Sequence, residues 1–68
     1  MALTKENTII LQKGGFTASQ ISTISSSIEK AGISQQKATE IVKMLVRDAK
    51  FRNDFFEDPL IAIRRSGH

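Results

Sequence analysis

The sequence predicts an all-α fold: a small bundle of three to four short helices with a helix–break–helix corner at Asp58-Pro59. Three observations predict it. Helix-capping signals recur at Thr17 to Gln20, Gly32 to Ser34 and Asp58-Pro59. Apolar residues between those signals return every three or four positions, the spacing that puts them on one face of a helix. Length sets the scale, because 68 residues allow one small domain that buries little of its surface.

Taken in chain order, the first segment is KENTIILQK, which Gly14-Gly15 ends. Its β-branched run Thr8, Ile9, Ile10 leaves a short helix and an extended piece both open, with the helix favoured. Residues 1–15 are therefore open to being loosely ordered. Thr17 and Gln20 have the spacing of a capping box, and Phe16 with Ile21 that of a hydrophobic staple. A helix over about residues 18–31 follows, with Ile21, Ile24 and Ile28 on one face. Its serines and threonine are weak helix formers, so packing must hold it.

Gly32 can take the left-handed conformation that closes this helix, and Ser34 can cap the next. Ala38, Ile41, Val42, Leu45, Val46 and Ala49 then trace a broad apolar stripe, predicting a helix over residues 35–50. Gly15-Phe16-Thr17 and Gly32-Ile33-Ser34 are an echo 17 residues apart, each followed by an isoleucine at the same offset, Ile24 and Ile41. Together these features predict a helical hairpin over residues 16–50. At Asp58-Pro59 an N-cap is followed by proline at the first helical position. Proline disfavours helix at Asp58, so a helix ending near Glu57 must break there. The last helix, residues 59–66, carries Leu60, Ile61 and Ile63, with Arg64 and Arg65 at its negative end and Gly67 to close it.

Composition narrows the function classes. Without cysteine there is no disulfide and no cysteine-based metal site, and the single histidine, His68, cannot hold zinc alone. With no tyrosine and no glycine-rich phosphate loop, and with Asp54, Glu57 and Asp58 placed as helix-end acids, no enzyme is expected and no cofactor is called for. The N-terminus lacks a signal peptide, and no apolar run approaches the roughly 20 residues that cross a bilayer. A cytoplasmic protein without membrane contact is expected. The net charge of +3 is mild and spread along the chain, which suits a solvated surface better than a nucleic-acid patch.

Residues 48–67 carry a more specific order: Asp48, then Phe51-Arg52 three positions on, Pro59 behind Asp58, Ala62-Ile63, and Gly67. This D-x-x-F-R-x6-P-x2-A-[LI]-x3-G pattern resembles the leader region of ribosomally synthesised, post-translationally modified peptide precursors, most closely the nitrile-hydratase-like leader class. It is also similar to lantibiotic-type leaders and to the helical domain of borosin precursors, which is itself similar to the small subunit of protocatechuate-type extradiol dioxygenases. The resemblance covers under a third of the chain, and residues 1–47 match no leader. It implies a bacterial, non-enzymatic protein-binding module recognised by a modifying enzyme. The residues it assigns to the partner are Phe51, Arg52, Phe55, Phe56, Asp58, Pro59 and Ile63. In such precursors a core peptide rich in Cys, Ser or Thr follows the last glycine. Whether one follows His68 stays open.

Helical geometry adds two expectations. Neighbouring positions point about 100° apart, so Phe55 or Phe56 belongs to the core but not both. Phe51 and Ile63 are expected to line the same groove or surface patch. Two other readings stand beside the leader-like one. A helix-turn-helix over residues 19–46 would offer Gln35, Gln36, Lys37, Thr39 and Lys43 to DNA. Against it, Ile28 sits where a small residue normally lets the two helices approach. The other reading is a helical protein that completes its core as a homo-oligomer.

Overall fold

The computed structural model describes residues 3–66, and among them every regular element is helical. Five helices follow in order: α1 (Lys5–Lys13), α2 (Ala18–Ala31), α3 (Gln35–Arg47), α4 (Ala49–Glu57) and α5 (Pro59–Ser66). The class is the one the sequence predicts, with one or two helices more. Gly67 and His68, given roles as helix stop and lone histidine, lie outside the described residues.

Helix α1 is the favoured of the two readings left open for residues 5–13. Thr4 caps it by accepting from the Asn7 N–H at 3.1 Å. Leu11 is completely buried, and Leu3 joins the same core, so this part of the residue 1–15 segment is a packed element. Asn7 is buried too and donates its side-chain amide to the Thr39 hydroxyl at 3.2 Å, which ties α1 to α3. At its C-terminal end α1 meets α3 closely. A Cβ at Gly14 would lie 3.1 Å from Val46 Cγ2, tighter than side chains normally pack.

The departure from the expected helices is at Asp48. The expected helix over residues 35–50 breaks there into α3 and α4. Asp48 takes an extended backbone (φ −114°, ψ 107°), and its carboxylate accepts from the N–H groups of Lys50 and Phe51. Satisfying two otherwise orphaned donors stabilises a new helix start without glycine or proline. The apolar stripe runs through the break, which is why periodicity does not reveal it.

The remaining local signals act as their chemistry dictates. Thr17 and Gln20 form a reciprocal capping box, at 2.9 and 3.1 Å. Gly15 (φ +90°) and Gly32 (φ +65°) both take left-handed backbone, and the residues two positions on, Thr17 and Ser34, both cap. Ile24 and Ile41, at equal offsets from these links, are both fully buried, so the echo marks two equivalent helix entries. The expected hairpin needs correction in its packing. The main neighbours of α2 are α5 and α1, and α3 lies against α1 and α4.

The core joins all five helices: Leu11, Ile24, Ile28, Ile41, Leu45 and Phe55 are its largest hidden side chains besides Val42. Asp58 (ψ 90°) breaks the chain before Pro59, and α4 and α5 then pack against each other. Because Ala62 and Ile63 are buried, tertiary contact as well as proline holds this corner. Pro59→Ala is therefore expected to keep five helices and to cost no more than about 1 kcal/mol, read from a urea melt. Fusion of α4 and α5 into one helix, seen by NMR chemical shifts, would refute this.

Candidate functional site

The leader-like residues fall on α4, the Asp58 corner and α5. Phe55 points into the core and is fully buried, whereas Phe56 is half-buried, dividing as their angular offset requires. Phe56 meets Phe55 edge-on (centroids 5.7 Å apart, planes at 82°) and approaches Phe16 at 6.2 Å. Phe51, one turn before Phe55, is half-buried with its ring centroid 6.2 Å from that of Phe55. Edge-to-face and tilted pairs at such separations suit the aromatic quadrupole.

Arg52 sits at the centre of the corner, half-buried. Its Nε donates to the Leu45 carbonyl at 2.9 Å and one terminal nitrogen to the Val46 carbonyl at 3.3 Å. The guanidinium carbon lies 5.7 Å from the Phe16 ring centroid. Arg52 therefore neutralises the carbonyl end of α3, where the helix dipole is negative, and bridges it to the aromatic cluster.

Ile63 is buried in the core. Asp58 is exposed and points its carboxylate at the Ile61 N–H, a long contact of 3.5 Å, while Pro59 is half-buried. Of the seven residues assigned to a partner, Phe51, Phe56, Asp58 and Pro59 keep accessible surface beyond the half-buried Arg52.

Phe51 lines an open groove of about 260 Å³ together with Met44, Asp48, Lys50, Asp54 and Arg65. Ile63 contributes instead to a separate groove of about 330 Å³ on another flank of α5. The expectation of a shared groove is thus corrected: Phe51 and Ile63 line separate grooves, and Ile63 is itself buried in the core.

The surface also holds two residues that the sequence reading placed on the last helix but assigned to no site. Leu60 and Ile61 are 44% and 45% exposed, the most open large apolar residues of the corner. A usable signal existed. Four successive apolar residues, Leu60 to Ile63, span more than one helix face, and an eight-residue helix packed on one side can hide only part of them.

The residues weighed for DNA contact divide differently. Gln35, Gln36 and Lys43 are exposed. Lys37 donates from its ammonium to the Ser66 carbonyl at the end of α5 and lies 4.0 Å from Glu40. The Thr39 hydroxyl accepts from buried Asn7. Lys37 and Thr39 thus serve internal contacts, and exposed Glu40 sets a negative charge between Gln36 and Lys43. A phosphate backbone would repel it.

Among the described residues no group of His, Cys, Asp or Glu side chains could hold a metal ion, and no helix is long and apolar enough to cross a membrane. No family model matches the chain, and neither curated proteins nor solved structures provide a significant match.

Proposed function

We propose that this protein is a non-enzymatic, leader-like helical module recognised by a peptide-modifying enzyme, in a bacterial cytoplasmic pathway. The observation that carries the reading is Phe51. It is an aromatic side chain left half-exposed in an open groove while its helical neighbour Phe55 fills the core. Asp48, Lys50, Asp54 and Arg65 supply a charged rim of both signs around it. An apolar anchor inside a polar rim is the common anatomy of a protein-binding patch. The D-x-x-F-R order of the leader resemblance begins at this groove, with Asp48 and Phe51 both lining it.

In this reading the residues of the motif divide their labour. Phe51 contacts the enzyme. Phe55, Arg52 and Ile63 hold the corner in shape, and Asp58-Pro59 sets the angle between the two helices. Preformed geometry lowers the ordering cost of binding.

The test is co-expression with a modifying enzyme encoded beside this chain, with the natural reading frame beyond His68 included, followed by mass spectrometry. The wild type is expected to carry a mass change in a downstream Cys-, Ser- or Thr-rich segment. Phe51→Ala is expected to stay folded and to bind the enzyme about 30-fold more weakly, as for loss of an anchor worth about 2 kcal/mol. An immediate stop codon with no such enzyme nearby, or full affinity in a folded Phe51→Ala, would overturn the proposal.

A further inference from the structure

Helix α5 is a ridge between two grooves of opposite charge. On one flank, Leu60, Ile63 and Arg64 face Lys30 at the end of α2 and Lys37 at the start of α3. No acid is among the described residues that line this groove, and the nearest one to its cations, Glu40, lies 4.0 Å from Lys37 on the same turn of α3. On the other flank, Ile61 and Ala62 face Asp54, Glu57 and Asp58, with Arg65 the one cation there. Leu60 and Ile61 stand at the crest, each more than two-fifths exposed. Exposed apolar residues flanked by opposite charges on the same small chain complement each other best in a second copy.

We propose that the protein forms a two-fold dimer through α5, with the basic flank of each copy set against the acidic flank of the other. Charge selects the axis. A two-fold axis parallel to α5 sets the helices side by side in the same direction and brings each basic flank over the partner's acidic one. A perpendicular axis in the interface plane would run the helices antiparallel and stack basic on basic. The favoured arrangement is isologous, so it closes at two copies and leaves no complementary surface to extend a filament. Leu60 and Ile61 become its dry centre, and the charged side chains its rim. A standard interface takes roughly 800 Å² from each partner, a minor share of the molecule's 4582 Å². Phe51 itself lies outside the two flanks, although its groove shares Asp54 and Arg65 with the acidic one.

The test is sedimentation equilibrium of the full chain at several concentrations in low and high salt. The expected species at low salt has twice the 7.5 kDa chain mass. Its association constant is expected to fall at least about tenfold in 0.5 M salt, where the screening length drops to a few ångströms. Lys30→Glu with Arg64→Glu is expected to be monomeric, as is Asp54→Lys with Glu57→Lys. All four side chains are exposed, so circular dichroism should report unchanged helix in both variants. Mixed one to one, the two variants are expected to recover the dimer, because both flanks are then complementary. A wild type that stays monomeric at low salt up to about 1 mM would overturn the proposal. So would masses that grow past the dimer with concentration, or folded variants that stay monomeric when mixed.

Discussion

Replacing Phe55 by alanine is expected to unfold the protein at room temperature. Phe55 is completely buried, touches the rings of Phe51 and Phe56, and sits where α4 and α5 meet the shared core. Truncating a buried phenylalanine costs about 3–5 kcal/mol, through lost transfer energy and the cavity left behind. A domain below about 70 residues rarely has more than about 3–5 kcal/mol to lose. No disulfide compensates, since the chain has no cysteine. Far-UV circular dichroism and a thermal scan check this: little helix and no cooperative transition are expected. Phe55→Leu should keep a cooperative transition at a lower temperature, because much of the apolar volume remains. A Phe55→Ala variant melting within a few degrees of the wild type would show that the core closes over the cavity.

The prominence of Phe55 was only partly legible in the sequence. Helical geometry separates Phe55 from Phe56 but does not say which faces inward. That choice is made by tertiary packing, since α4 lies against both α3 and α5. The capping box at Thr17, the left-handed Gly32 and the proline at the start of α5 were legible because each is a local event, fixed by residues within a turn. The break at Asp48 is also local, but its donors are backbone N–H groups of ordinary residues, and the apolar stripe continues across it. Nothing in composition distinguishes that aspartate from an exposed residue in mid-helix. The helix in residues 5–13 was uncertain for another reason. Its β-branched run argues for extended backbone, and burial of Leu11 with the Asn7 to Thr39 hydrogen bond outweighs that preference.

The candidate site shows the same division. Phe51 was readable through the leader-like order of residues 48–67, and the structure leaves it in a groove. Lys37 and Thr39 read as outward-facing residues on a helix start, yet their partners are Ser66 and Asn7, 29 and 32 residues away. Long-range pairings of this kind leave no trace in a single sequence.

Arg52 is where the leader resemblance and the structure make opposing demands, and its substitution separates them. The resemblance assigns it to a partner; the structure folds it back seven residues to the Leu45 carbonyl and six to Val46. Arg52→Met, which keeps an unbranched apolar stem but loses the guanidinium, is expected to destabilise the protein by about 2 kcal/mol. Hydrogen bonds from a charged donor contribute about 1.5–3 kcal/mol, and partial solvent access to the freed carbonyls holds the loss near the lower end. In a chain of this size that lowers the melting temperature by roughly 10 °C. Arg52→Lys is expected to recover part of the loss, since an ammonium can reach one carbonyl but cannot reproduce the planar fork over Phe16. Urea melts with unchanged slope and a lower midpoint would assign the effect to native-state stability. Partner affinity, measured where both variants remain folded, is expected to match the wild type within about twofold. A folded Arg52→Lys that keeps its midpoint yet loses binding would place the guanidinium on the enzyme instead. Helix α3 would then be left with carbonyl groups that water satisfies equally well.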